Sequence, residues 1–153
     1  MKIVVESELR ADPEFLWGLI ADYGNIEAWW PRNGPLQIDR VELDGDGVGM
    51  VRHIYNVGFP HPVSEQLVGL EPEALRWQLT IVGDQPAGIR EYLATGQLHP
   101  RGDGTCGISY VGEVEAEAGR EEEAEDFLRG AYNLMFDGLQ EAADRQAGNA
   151  AAG

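Results

Sequence analysis

Two charged residues in the middle of the chain, Arg52 and Glu65, stand in stretches that otherwise alternate like half-buried strands. Arg52 belongs to the stretch 48–55 and Glu65 to 63–70, and the Gly- and Pro-rich segment 56–62 (NVGFPHP) separates them. If the two stretches pair as a hairpin about that segment, Arg52 lies opposite Glu65 and Ile54 opposite Val63. The turn at Glu71-Pro72-Glu73 then predicts Glu65 across from Leu79, and Leu67 across from Trp77. Facing residues share a face of the sheet, so the two charges sit among apolar neighbours and are placed to pair. Two readings follow. One is a salt bridge that merely neutralises two inward charges; the other is a polar anchor in an otherwise apolar cavity, the usual form of a small-molecule site. An inward Glu65 with no cationic partner would suit acid–base chemistry, whereas a Glu65 locked to Arg52 suits plain binding.

Tyr92 and Tyr110 continue the same face on the last two predicted strands. Their hydroxyls can donate to a ligand carbonyl or polarise one during an enolisation; alternatively they are core residues with buried tips. Arg52, Glu65, Tyr92 and Tyr110 are therefore the candidates for catalysis. Trp30, Trp77, Leu79 and Ile81 are expected as apolar wall. Other chemistries find less support. His53, His61, His99 and Cys106 lack metal-ligand spacing to one another, so no metal and no cofactor is expected. GDGVGM lacks the strand-then-helix context of a phosphate loop. His53 is expected to point outward, and no serine has an evident histidine partner.

The elements that must position these residues begin with a strand at Ile3, Val5, Ser7 and Leu9. Asp12-Pro13 opens a helix, a capping residue followed by proline at the first helical position. A second helical piece spans 25–30 and ends at Pro31. The stretch 36–43 reads as a strand whose apolar parity switches midway, which predicts a bulge. Strands at 48–55, 63–70, 75–82, 89–99 and 105–115 follow, with a second Gly/Pro loop at 83–88 (GDQPAG). The run 121–146 is helical: Phe127, Ala131, Leu134, Met135, Leu139 and Ala142 recur at three- and four-residue steps, and acidic residues crowd its first turns. Gly130 and Gly138 inside it each cost about 1 kcal/mol of helix propensity, a cost that leaves room for a close neighbour. Phe127, Ala131 and Met135 are assigned to the helix side of the cavity. Short turns between consecutive strands imply an antiparallel meander, with the long helix lying across it.

With 153 residues the chain fits one domain, assigned to 1–147, with the small residues 148–153 expected as a disordered tail. A formal charge of −16 argues against nucleic acid and anionic membrane surfaces as partners. One cysteine, no apolar leader and no run long enough to span a bilayer lead to the expectation of a cytoplasmic protein without membrane insertion.

The order of segments, with ADPEFLWGLIADYGNIEAWWP at the front, GVGMVRHIYNVGFPHPVSEQLVGLEP in the middle, EYLATGQLHPRGDGTCGISYVGEV after it and AYNLMFDGL in the last helix, resembles the START-related superfamily of polyketide cyclases, dehydrases and lipid-transport proteins. That resemblance implies an α+β helix-grip fold: a curved seven-stranded antiparallel sheet wrapped around a long C-terminal helix, with two short helices after the first strand. Within the superfamily, VGFPHPVSEQL is similar to the gate loop and following strand of plant abscisic acid receptors, and VGDQPAG to their latch loop. EYLAT matches their strand with an inward tyrosine, which places Tyr92 and Ala94 in the pocket. Trp30 stands where those receptors carry a lysine for the ligand's carboxylate, and Tyr110 where they carry an inward glutamate. The resemblance thus implies a gated cavity, with Phe59 and Pro60 on the gate, and departs from those receptors at the hormone's anchor.

Three functions compete. The first is a carrier or sensor of a small hydrophobic molecule, aromatic, polyketide-like or lipid-like. The second is a cyclase or dehydratase using the inward Arg, Glu and Tyr residues. The third is an interaction protein working through its acidic surface. Phe59, apolar at a loop tip, is expected to cover the ligand or to meet a protein partner.

Overall fold

The structure is a computed structural model that describes the backbone of residues 1–152 and the side chains of residues 1–149. Strand β1 (Lys2–Leu9) leads into helix α1 (Pro13–Ala21), whose N-cap Asp12 accepts from the Glu14 amide at 2.9 Å. A 3-10 helix at Tyr23–Ala28 follows, two residues earlier than its sequence pattern predicts. Strands β2 (Ile38–Asp44), β3 (Val51–Asn56), β4 (Val63–Glu71), β5 (Arg76–Val82), β6 (Ile89–Pro100) and β7 (Cys106–Ala116) then run to helix α2 (Glu121–Ala152). The seven strands form one antiparallel sheet in the order β1-β7-β6-β5-β4-β3-β2, so the first strand closes onto the last. From β2 to β7 consecutive strands are neighbours, as short turns require. α2 packs against β1, β7 and α1, which is the helix-grip arrangement.

The helix extends past the expected end at residue 146 and on through 148–152, where a disordered tail is expected; Gly153 lies outside the described residues. Its buried stripe is Ala124, Leu128, Tyr132, Met135, Phe136, Leu139, Ala142 and Ala143. This face is turned relative to the one read from the sequence, so Phe127, Ala131 and Leu134 lie on its flank, half-buried. The two internal glycines differ. A Cβ at Gly138 would collide with the Trp29 carbonyl and the Pro31 ring, so glycine is what lets α2 seat against that loop, whereas Gly130 faces open space.

The Arg52↔Glu65 and Ile54↔Val63 pairings are as expected. The next hairpin is not: Glu65 pairs with Ile81, Leu67 with Leu79 and Leu70 with Trp77. An irregularity between Leu67 and Gly69 shifts the register by one residue, so the pairing is three residues from the expected one beside the turn and two on the Glu65 side. An even shift keeps every side chain on its face, which is why the inward set survives an incorrect register. The expected bulge in β2 is present, between Ile38 and Arg40. The strand itself starts only at Ile38, leaving Leu36 in the preceding loop.

Candidate functional site

The concave face of the sheet and α2 enclose a small inner chamber of about 70 Å³. From the sheet it is lined by Ile54, Val63, Glu65, Leu79, Ile81, Tyr92 and Tyr110, from the helix by Phe127, Ala131 and Met135, and from the front of the chain by Trp30. These eleven were all expected. The Trp30 indole is fixed by donating to the Leu36 carbonyl at 2.8 Å. Five further lining residues escaped the sequence reading: Ile26, Leu36, Asn56, Leu128 and Tyr132. Leu128 and Tyr132 were detectable, since they lie four residues apart on the buried stripe of α2. Leu36 reads as a strand residue in the sequence but lies in the loop before β2.

An outer chamber of about 510 Å³ adjoins the inner one and shares Leu36, Asn56, Val63 and Phe127 with it. Its remaining lining comes from the two Gly/Pro loops: Phe59, His61 and Pro62 from 56–62, and Asp84, Gln85 and Pro86 from 83–88. Small-molecule cavities usually span roughly 300–1,000 Å³; the outer chamber is in that range and the inner one far below it. The outer chamber thus has room for a body of ordinary ligand size, and the inner one only for a small group.

Four expected wall residues are placed elsewhere. Arg52 and Trp77 lie behind the inner chamber around a narrow recess with Tyr23 and Trp29. Ala94 is fully buried opposite Leu79, within the sheet's packing. Pro60 is exposed on the 56–62 loop and lines neither chamber.

Arg52 is the centre of the deep wall. Its Nε donates to Glu65 Oε1 at 2.9 Å and its Nη2 reaches the same oxygen at 2.9 Å, while Nη1 donates to the Tyr23 carbonyl at 2.9 Å. The guanidinium lies 3.8 Å above the Tyr23 ring. Side-chain exposures of 3% for Arg52 and 17% for Glu65 make this a buried pair. Burial works against the Arg52 charge, but Glu65 and the neighbouring phenols outweigh it and hold its pKa above the ordinary value. Glu65 Oε2 has no hydrogen-bond partner among the described residues.

Three phenols complete the wall. Trp77 Nε1 donates to the Tyr110 hydroxyl at 2.8 Å, and Tyr110 stacks on Tyr132 with ring centroids 4.7 Å apart. The Tyr92 and Tyr132 hydroxyls share a short hydrogen bond. Gly112 makes that possible, because a Cβ there would strike the Tyr132 hydroxyl. Burial raises all three phenol pKa values, that of Tyr132 to about 12. At neutral pH the phenols are therefore uncharged hydrogen-bond donors.

His53 needs a correction. It does lie on the outer face, but its Nδ1 is 2.7 Å from the Ser64 hydroxyl and its Nε2 2.6 Å from Asp44 Oδ2. A serine with a histidine partner thus exists. Strand alternation puts this trio on the face opposite Arg52 and Glu65, and Ser64 is buried there, so it takes no part in the cavity.

A family profile described as "Polyketide cyclase / dehydrase and lipid transport" matches residues 1–144. No curated protein matches the sequence. An uncharacterized protein from Bacillus thuringiensis is similar in structure, with a TM-score of 0.78 and 23% identity over 93% of this chain and 98% of that one. A point mutant of norcoclaurine synthase from Thalictrum flavum, in complex with a transition-state analogue, has a TM-score of 0.78 at 20% identity over 96% of each chain. The protein XoxI from Bacillus cereus has 0.77 at 23%, covering 93% of this chain and 94% of that one. At these identities the structural likeness shows a common fold. No helix among the described residues is long and apolar enough to cross a membrane.

Proposed function

The chain belongs to the polyketide cyclase, dehydrase and lipid-transport family, and on that premise we propose that it binds a small hydrophobic molecule as a carrier or sensor. The observation that carries this reading is the Arg52–Glu65 pair. A carboxylate held by a buried guanidinium is a poor proton shuttle, because each protonation would leave Arg52 charged and unpaired in the wall. The phenols, raised by burial, hold their protons at neutral pH and orient a ligand rather than act as bases. The molecule's apolar body lies in the outer chamber under the loops 56–62 and 83–88, and its head meets Asn56, Glu65 and the Tyr92–Tyr132 pair. Phe59, 60% exposed at its loop tip, closes over the ligand or presents the closed state to a protein partner.

The second reading is a cyclase or dehydratase. What favours it is the open Glu65 Oε2 among three phenols, an arrangement that can hold a poly-carbonyl chain while Tyr92 or Tyr132 donates a proton. Native mass spectrometry of protein purified from its own host tests both. A co-purified small molecule, recovered unchanged after prolonged incubation with the protein, is the expected result. Conversion of that molecule at a steady rate would favour the enzyme, and a bare protein that also binds no aromatic probe would remove both readings.

A further inference from the structure

Where the chambers meet, several acceptors stand without a donor, while the Tyr92 and Tyr132 hydroxyls are engaged with each other. Glu65 lines the inner chamber with Oε2 unpartnered among the described residues, since both Arg52 contacts fall on Oε1. Asn56 is only 9% exposed and lines both chambers, and its Oδ1 is buried with no donor. Gln85, across the outer chamber on the other loop, has the same deficit at Oε1. Its orientation is fixed, because Nε2 donates to the Ile81 carbonyl at 2.8 Å. Asp84 adds a carboxylate to the rim, where His61 is the remaining titratable group. The nearest arginine offers nothing to an anion: its three nitrogens are directed at Glu65 and the Tyr23 carbonyl, behind the chamber.

A buried acceptor without a donor carries a desolvation penalty that an incoming O–H or N–H removes. A carboxylate entering here would instead meet Glu65 and two bare carbonyl oxygens with no cation to receive it. We propose that the cavity selects apolar ring compounds whose polar group donates hydrogen bonds, an alcohol, phenol or amine, and rejects the corresponding carboxylates. This rests on the binding reading above and adds the ligand's polar chemistry to it. Asn56 and Gln85 are the selecting residues, one at the neck and one at the rim.

The test uses four probes on one ring system: 2-methylnaphthalene, 2-naphthylmethanol, 2-naphthylmethylamine and 2-naphthoate. Affinities are read by protein-observed NMR in about 0.3 M salt, where the Debye length is short and the acidic surface no longer attracts the amine unspecifically. The alcohol and amine are expected to bind about tenfold or more tighter than 2-methylnaphthalene, a difference of one good hydrogen bond, with 2-naphthoate weakest. Asn56→Leu should bring the alcohol down to the level of 2-methylnaphthalene, Gln85→Leu should weaken it in the same direction, and Asn56→Asp, which keeps the acceptor, should retain it. If 2-methylnaphthalene fails to bind, the cavity reading falls and this inference with it. If 2-methylnaphthalene binds while the alcohol and amine gain nothing, or 2-naphthoate matches them, only the donor preference is overturned. Retention of full alcohol affinity in both leucine variants would likewise overturn it.

Discussion

At the closed end of the cavity the polar groups answer one another: Arg52 with Glu65 and the Tyr23 carbonyl, Trp77 with Tyr110, Tyr92 with Tyr132. Where the cavity opens, Asn56 Oδ1 and Gln85 Oε1 answer to nothing. The Tyr23 hydroxyl is also unpartnered among the described residues, and it lies behind the wall rather than on it. Polar residues are thus used in two ways within one cavity. The deep set holds the wall rigid and costs stability when broken; the outer set costs stability as it stands and, in the function proposed above, is answered by the ligand. Changes at the two ends should accordingly have opposite consequences.

The largest effect is expected at the deep end. Arg52→Met leaves Glu65 inward and unpaired, and should lose about 3–5 kcal/mol in denaturant unfolding. The double variant Arg52→Met with Glu65→Leu removes both charges and should recover most of that loss. Equal stability of the single variant and the parent protein would show that the pair is not a buried element.

Alkaline titration probes the same wall more gently. Tyr132 has its pKa raised by burial from 10.0 to about 12 in the fold. Between those values the unfolded chain gives up the phenol proton while the folded chain keeps it. Stability should therefore be level below pH 10 and fall as pH rises towards 12, by about 2–3 kcal/mol for this group. Tyr132→Phe should flatten the fall measurably, though Tyr92 and Tyr110 keep contributions of the same sign. A decline of unchanged size in that variant would take Tyr132 out of the account.

A smaller comparison separates the two helix glycines. Gly138→Ala forces a methyl group against Trp29 and Pro31 and should destabilise by about 1–3 kcal/mol. Gly130→Ala meets open space and should gain up to about 1 kcal/mol. Matching melting shifts for the two would mean that α2 does not seat against the 29–31 loop as described.

The inward set of the sheet was readable because strand alternation is insensitive to even register errors. Glu65 and Leu79 fall on the right face from a pairing two residues out, and Trp77 keeps that face through its own alternation with Leu79 and Ile81 along β5. What alternation cannot show is depth, and so Arg52 and Trp77 were assigned to the cavity while the fold puts them behind it. Ala94 failed for the same reason. Tyr132 was lost because a tyrosine does not register in an apolar stripe, although its spacing to Leu128 and Phe136 is helical. The partner of Ser64 was hidden because two residues that face each other across a hairpin were read separately. Asn56 was overlooked as the first residue of a loop, yet it is also the last residue of β3 and points inward from it.

The central claim, that a ligand occupies the space between sheet, helix and the two loops, is tested most directly by amide hydrogen exchange with and without saturating 2-naphthylmethanol. Slowed exchange concentrated in 56–62 and 83–88, with the outer face around His53 and Ser64 unchanged, is the predicted result. Loops that exchange at the same rate in both states, or protection that appears on the outer face instead, would contradict it.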